Sequence, residues 1–240
     1  MKRTPNYQKI IKINQVLIDH FGLPERPQKR AKPIDMLIAT ILSQNTNDKN
    51  SYKAYKNLRE KFPHWEDAVK VSAEVIEKEI RIAGLAKQKS KAIKNVLSEI
   101  QQRYNRVSLD YLDGKNEKEI IEELTKFDGV GVKTASCVLL FSMDRNICPV
   151  DTHVHRTTNR IGLVKTSTPD KTFLKLNEDF PDSIAHSFHT NLIRLGREIC
   201  LPQNPKCAIC PLKKLCRYPM KSKAQTSNQR EKKFMLLDNI

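Results

Sequence analysis

Apolar residues recur every three or four positions along most of this chain, which is the spacing of an amphipathic helix. The pattern predicts a first helix over residues 10–21 and a second, opened by Pro33, over residues 34–42. Further segments with the same pattern cover residues 48–62, 72–83, 88–103, 117–127, 132–143, 152–161, 170–179 and 183–199. No run alternates with the period of two that marks a strand. The sequence therefore predicts an all-α protein of about ten helices.

Capping residues support several of these boundaries. Gly22 follows the first helix as a stop signal, and Asn47 or Asp48 is placed to cap the third helix. Asn116 and Glu119 have the spacing of a reciprocal capping pair.

Two segments look less ordered than the rest. The proline-containing stretch 23–33 resembles a linker between the first helix and the remainder of the chain. Residues 221–240 are polar and basic before a short apolar end, so we expect a mobile basic tail whose last residues are able to dock on the body.

The chain has 240 residues, of which 39% are hydrophobic and 29% are charged. No window approaches the roughly 18 apolar residues of a membrane helix, and the start, MKRTPNYQKI, lacks the apolar stretch of a signal peptide. We therefore expect an intracellular protein with no membrane partner, located in the cytoplasm and nucleoid.

Positive charge is concentrated at both ends of the chain. Lys and Arg number 43 against 27 Asp and Glu, a net charge of +16. Residues 1–32 hold eight bases and two acids, and residues 200–240 hold nine bases and two acids. Solvated tails are one interpretation and a membrane surface is a weaker one. The charge favours a nucleic acid, because clustered Lys and Arg gain from the release of phosphate counterions.

Four of the six cysteines fall within 17 positions, with the spacing C-x6-C-x2-C-x5-C. In an intracellular chain, four thiolates converging on a metal explain such crowding better than disulfides do. The spacing alone does not separate Zn²⁺ from an iron–sulfur cluster. The four residues are Cys200, Cys207, Cys210 and Cys216, and we expect the other two, Cys137 and Cys148, to be small buried side chains.

A glycine pair, Gly129 and Gly131, lies between two predicted helices in the run FDGVGVKTA. Such a pair permits a tight turn whose N–H groups bind an anion at the start of a helix, although an ordinary helix–helix turn explains it as well. Lys133 follows in the first turn of the new helix. It is either a solvated surface residue or, where desolvation favours the neutral amine, a nucleophile.

Asp151 lies in the run PVDTHVHR, after an apolar stretch and before a helix. Its ordinary interpretation is a helix N-cap. The alternative is a carboxylate in a cleft that stabilises a developing cation or handles a proton.

Taken together, the runs GVGVKTA, VDTH with a following NR, and the cysteine spacing resemble the endonuclease III group of helix-hairpin-helix DNA glycosylases. The resemblance implies two helical domains flanking a DNA-binding cleft. A six-helix domain with the helix-hairpin-helix would cover 29–145, an iron–sulfur domain 1–28 and 146–220, and a basic tail 221–240. It also implies that the four clustered cysteines bind a [4Fe–4S] cluster rather than zinc.

The activity that the resemblance implies is base excision repair of duplex DNA by a monomeric enzyme. Lys133 would attack C1′ of a flipped nucleotide, with Asp151 stabilising the cationic sugar or assisting proton transfer. The damaged base departs, a Schiff base remains, and β-elimination nicks the strand. We expect a combined glycosylase and apurinic/apyrimidinic lyase acting on oxidised pyrimidines.

Further roles follow from the same resemblance. Gln44 would fill the hole left by the flipped base, and Leu85 would form a wedge beside the opposite base. Lys87, Lys89 and Lys91 are interpreted as phosphate contacts or as a solvated face. The full set of expected DNA-binding residues is Gln44, Leu85, Gly129, Val130, Gly131, Thr134, His153 and Lys206.

Two departures from the usual hairpin, Asp128 and Val132, stand where relatives commonly have proline and arginine. They leave the chemistry intact and the base specificity open. Mismatch thymine/uracil or modified-cytosine specificity is one alternative. A non-catalytic iron–sulfur protein that docks on DNA is another.

Overall fold

The structure is a computed structural model that describes residues 3–219 and 235–240. Helices dominate it, and no strand occurs within those ranges, so the all-α prediction is confirmed. Of the basic tail predicted for 221–240, residues 221–234 lie outside the described part of the chain. The α-helices of the described part are α1 Pro5–Phe21, α2 Pro33–Leu42, α3 Asp48–Lys61, α4 Trp65–Lys70, α5 Ala73–Ile80, α6 Ala86–Tyr104, α7 Glu117–Leu124, α8 Val132–Phe141, α9 Thr152–Ile161, α10 Pro169–Asn177 and α11 Ala185–Glu198.

Capping chemistry fixes several helix starts. Asn47, not Asp48, caps α3, because its side chain accepts the N–H of Asn50 at 2.9 Å. At α7 the side chains of Asn116 and Glu119 each accept the other's backbone N–H, which completes a capping box.

The chain divides into two compact units. One combines the described residues 3–25 with residues 146–219, and we call it the cysteine unit. The other, the hairpin unit, contains Arg26–Arg145 and the described C-terminal residues 235–240.

In the hairpin unit, α2 is the central helix and packs against α8, α3 and α6. Its apolar side chains are fully buried, including Leu37, Ile38 and Ile41. A short 3-10 helix near the C-terminus, Leu236–Asp238, contacts α2 and α3 and buries Leu236. Leu236 is therefore part of the core of this unit.

In the cysteine unit, α11 packs against both α1 and α9. Ile13 and Leu17 of α1 and Phe188 and Leu192 of α11 are fully buried. Arg194 ties the two helices at the end of α1, where its Nη1 donates to the carbonyl of Phe21 at 2.8 Å. No helix in the described part of the chain is long and apolar enough to cross a membrane.

Candidate active site and cysteine loop

The α7–α8 connection is a tight turn closed by its own backbone. The N–H of Val130 donates to the carbonyl of Phe127 at 3.1 Å, and both side chains are buried. Gly129 has a φ of +80°, a conformation that favours glycine. Val130, predicted as a DNA contact, therefore uses its N–H inside the turn, while Gly129 and Gly131 lie exposed beside it.

The start of α8 is open to an anion. Gly131 is the N-cap and has no side chain to accept from the helix. The N–H groups of Gly129 and Gly131 form no hydrogen bond within residues 3–219 and 235–240. Unsatisfied N–H groups at the positive end of a helix attract phosphate. The turn has the donors that the predicted phosphate grip requires.

Lys133 is the second residue of α8 and is half-buried. Its neighbour Thr134 is 3% exposed, so the predicted DNA contact of Thr134 is limited to its backbone. Lys133 and Thr134, the second and third residues of α8, thus differ: the side chain of Lys133 is accessible, whereas that of Thr134 is not.

Gln44 lies beside this turn. Its Nε2 donates to the carbonyl of Gly129 at 3.1 Å. A Cβ on Gly129 would lie 3.0 Å from the Cβ of Ala92 on α6, so glycine allows the turn to press against that helix. Gln44, the glycine turn and the first turns of α6 therefore form one local cluster.

Leu85 has two features that set it apart from an ordinary leucine. Its φ is +50°, in the left-handed region that β-carbon-bearing residues avoid, and the residue is 52% exposed. A strained backbone that presents an apolar side chain to water is typical of a functional contact rather than of folding. The geometry suits the predicted wedge.

The interpretation of Lys89 as a phosphate contact or solvated residue is wrong. Lys89 is only 2% exposed, and its Nζ donates to the carbonyls of Leu42 and Ala83, each at 2.8 Å. Lys87 and Lys91 of the same helix are exposed. The helical pattern concealed this difference, because all three lysines look alike in a polar stretch.

Asp151, in the cysteine unit, is the N-cap of α9. Its Oδ1 accepts the N–H of Val154 at 2.7 Å, which is the ordinary role expected from its position. The residue is half-buried, and Oδ2 has no hydrogen bond within the described ranges. One oxygen orients the carboxylate and the other is available for chemistry.

His153 follows in the first turn of α9 and packs closely on α11. A Cβ on Gly196 would lie 2.8 Å from the Cβ of His153, so glycine is required at that crossing. Burial is the main cause that lowers the pKa of His153, and the charges of Arg156 and Arg197 lower it further against that of Asp151. His153 therefore favours the neutral form and accepts from Arg156 Nη2 through Nδ1 at 3.2 Å.

Two arginines on one face of α9 hold the segment 200–216, which contains the four clustered cysteines and which we call the cysteine loop. Arg156 Nε donates to the carbonyl of Cys200 at 3.0 Å. Arg160 donates to the carbonyls of Leu201 at 2.6 Å and Pro202 at 2.8 Å, and stacks 4.5 Å from the ring centre of Tyr218. Their spacing of four residues was the available sequence signal for this support. Sequence reasoning missed their role.

The four clustered cysteines are free and half-buried. No group of three or more His, Cys, Asp or Glu side chains in the described residues has the arrangement of a metal site. Two donors nevertheless approach the sulfurs: Arg160 Nη1 lies 3.5 Å from Cys200 Sγ, and Tyr218 N lies 3.5 Å from Cys216 Sγ. N–H donors of this kind stabilise negatively charged sulfur.

Burial raises the pKa of Cys210 to about 11, and the charges of Cys200, Cys216 and Cys207 add to that increase. The charged form of Cys210 is therefore disfavoured unless a cation binds it. Four soft thiolates without a disulfide fit an iron–sulfur cluster or Zn²⁺.

The remaining predicted residues are placed as follows. Lys206 is half-buried in the cysteine loop, and its N–H donates to the carbonyl of Ile199 at 2.9 Å. Cys137 and Cys148 are fully buried, as expected. Gln44, Leu85 and the residues of the α7–α8 turn through Thr134 lie in the hairpin unit, whereas Asp151, His153, Lys206 and the four clustered cysteines lie in the cysteine unit.

Comparison with known proteins places the chain in a family. Residues 38–182 match the HhH-GPD superfamily of base excision DNA repair proteins. Endonuclease III of Thermotoga maritima is 35% identical over 208 residues, which cover 86% of this chain and 93% of the relative. A candidate DNA glycosylase of Arabidopsis thaliana is 40% identical over 168 residues, and the chain spans 57% of that relative's length.

The fold agrees with these sequence matches. A solved structure of endonuclease III trapped in a covalent intermediate with DNA superposes with a TM-score of 0.74 at 28% identity, covering 88% of this chain and 95% of that one. The chain therefore belongs to the endonuclease III family of the HhH-GPD superfamily.

Proposed function

We propose that this protein is a base-excision-repair DNA glycosylase with apurinic/apyrimidinic lyase activity, acting on oxidised pyrimidines in duplex DNA. The observation that carries the proposal is the glycine-capped start of α8, where the side chain of Lys133 follows N–H groups that are open to phosphate. The trapped covalent complex of the related endonuclease III supports an enzyme–DNA bond in this reaction.

The first step is recognition. Chemistry on a stacked base requires the nucleotide to leave the duplex, at a cost that is smallest for damaged or mispaired bases. The N–H groups of Gly129 and Gly131 hold phosphate near the lesion. Gln44 fills the vacated space and Leu85 unstacks the opposite base, which keeps the nucleotide extrahelical.

The second step is base removal. The neutral amine of Lys133 bonds to C1′, the bond from C1′ to the base breaks, and the base leaves with the bonding electron pair and takes up a proton. The carboxylate of Asp151, oriented by the N–H of Val154, stabilises the positive charge that develops on the sugar. This role requires the ionised carboxylate.

The third step is strand cleavage. Loss of the amine proton and opening of the sugar ring give a Schiff base between Nζ and C1′. Removal of a proton from C2′ then expels the 3′ phosphate by β-elimination, and water releases the lysine. Glycosylase and lyase activities therefore use the same amine.

The cysteine loop is proposed to hold a [4Fe–4S] cluster through Cys200, Cys207, Cys210 and Cys216. Binding of the cluster would supply the free energy that folds this proline-rich loop, which has few apolar side chains. Arg156 and Arg160 fix the loop on α9 and thereby fix Lys206 for contact with DNA. The protein acts as a monomer on DNA in the cytoplasm and nucleoid.

A panel of lesion duplexes tests this function. Wild-type protein is expected to release an oxidised pyrimidine and nick the strand, whereas Lys133→Ala does neither. Lys171→Ala, which removes an exposed lysine of α10, is the control and is expected to match wild type. Turnover of a thymine or uracil mismatch in preference to oxidised pyrimidines would overturn the specificity. Binding of lesion duplexes without cleavage of any of them would overturn the proposed enzymatic activity.

A further inference from the structure

Lys89 is the one Lys, Arg, Asp or Glu residue that is buried among the described residues. Burying a charged group is unfavourable unless hydrogen bonds replace its water. Lys89 has two such bonds, to the carbonyls of Leu42 and Ala83, and no carboxylate pairs with it in the described part of the chain. Burial lowers the pKa of Lys89 to about 8. An uncharged side chain at this core position would cost less free energy to bury than an ammonium does. The presence of a lysine there therefore needs an explanation.

The two acceptors occupy equivalent places. Leu42 is the last residue of α2 and lies two residues before Gln44, while Ala83 ends the short 3-10 helix Arg81–Ala83 and lies two residues before Leu85. Carbonyls at helix ends lack intrahelical partners and attract a cation. One ammonium therefore binds both helix ends, after which the segments that contain Gln44 and Leu85 begin.

The same helix also supports the glycine turn. Ala92, three residues after Lys89 and on the same side of α6, is the residue against which Gly129 packs. Gln44 in turn donates to the carbonyl of Gly129. The first two turns of α6 thus contact the backbone of the segments that contain Gln44, Leu85 and Gly129. These are the segments for which the proposed function requires DNA contact.

We propose that Lys89 is a positioning residue that fixes the separation of Gln44 and Leu85, so that both side chains enter the duplex together when a nucleotide is extruded. The inference rests on the proposed function and extends it to a residue that never touches DNA. Without Lys89, no hydrogen bond in the described part of the chain joins the end of α2 to the end of the 3-10 helix, so packing alone holds the segments of Gln44 and Leu85 relative to each other. Extrusion then becomes less favourable, whereas the chemistry at Lys133 is unchanged.

The test compares a substrate that must be extruded with one that need not be. Lys89→Met keeps most of the side-chain volume and removes both hydrogen bonds. We expect cleavage of an oxidised pyrimidine in duplex DNA to fall about tenfold or more. Lyase activity on an abasic site in single-stranded DNA is expected to stay within about twofold of wild type. A 2-aminopurine next to the lesion should show a smaller fluorescence increase on binding.

Lys56→Met is the matched control, because Lys56 is exposed on α3 of the same unit. It is expected to leave the ratio of duplex to single-strand activity unchanged. In a Leu85→Ala background, Lys89→Met should cost much less than in wild type, since the residue acts through that loop. Lys89→Leu, which also lacks a donor, replaces Lys89→Met if the latter is insoluble, and the same results are expected of it.

Two results would overturn the inference: equal losses on both substrates, which indicate a general structural role, or no loss on either. Failure of the wild-type protein on both substrates would instead overturn the proposed function. The wild-type arm therefore separates the two claims.

Discussion

The side-chain amide of Gln44 donates to the carbonyl of Gly129 at 3.1 Å, which joins the end of α2 to the turn before α8. Gly129 also packs closely against Ala92 of α6. A residue proposed to enter the duplex and a turn proposed to grip its phosphate are thus linked directly. Displacement of the turn is expected to disturb both.

Gly129→Ala tests this link. The left-handed backbone costs a non-glycine residue about 1–2 kcal/mol, and the new Cβ would also press on Ala92. Gly114→Ala is the control, because Gly114 has a similar φ of +86° with nothing within 4 Å of its Cβ. Urea unfolding should show a larger loss for Gly129→Ala, and only this variant should weaken binding to abasic-site duplex. Equal losses of stability in the two variants, with unchanged binding to abasic-site duplex, would contradict the account.

Asp151 has a capping role and a proposed chemical role, and two substitutions separate them. Asp151→Asn keeps an oxygen for the N–H of Val154, so the free energy of unfolding should change little. Asp151→Ala removes the cap and should cost about 1 kcal/mol. Both should lower the glycosylase rate by about 10²-fold or more. A fully active Asp151→Asn protein would leave the residue as a helix cap alone.

His153 makes stability depend on pH. Its pKa in the folded protein is lowered, chiefly by burial, below the ordinary value of 6.5. The unfolded chain therefore binds this proton more readily than the folded protein does. The stability that the neutral His153 ring contributes is lost as pH falls from about 6.5 toward the lowered pKa. Asp151, Arg156 and Arg197 are the charged groups that act on the ring.

The measurement is the free energy of unfolding between pH 5 and 7.5, at about half-unit steps. His153→Asn should reduce the fall in the free energy of unfolding at acidic pH. The control is His64→Asn, at an exposed position, which should leave that fall unchanged. A wild-type stability that rises on acidification over this window would contradict the burial of His153.

Arg160 links α9 to the cysteine loop by its bonds to Leu201, Pro202 and Cys200 Sγ. Arg160→Met should weaken retention of the cluster about tenfold, read as faster loss of broad visible absorbance in the presence of an iron chelator. Arg106→Met, at an exposed position, should behave as wild type. A colourless, zinc-loaded and fully active preparation would contradict the iron–sulfur assignment.

Periodicity and capping residues were sufficient to predict most helices, because each signal is local. The capping box of Asn116 and Glu119 forms as predicted. The short helix Trp65–Lys70 was missed, since six residues give less than two turns of pattern. The backbone of Leu85 was also beyond reach, because no local signal marks a leucine for positive φ.

The candidate site was predicted in part for the same reason. Lys133 and Asp151 are marked by neighbouring motifs in the chain. Lys89 was misread because its acceptors, Leu42 and Ala83, come from segments that only the tertiary fold brings to α6. Burial of a polar residue depends on such distant partners, and no spacing rule contains them.

The central claim is that the amine of Lys133 bonds to the sugar. The direct measurement is incubation with duplex DNA containing an abasic site, reduction by borohydride, and mass mapping of the covalent adduct. The account predicts an adduct on the peptide that contains Lys133 and none with folded Lys133→Ala. No adduct from wild-type protein, or an adduct of undiminished yield in Lys133→Ala, would contradict it.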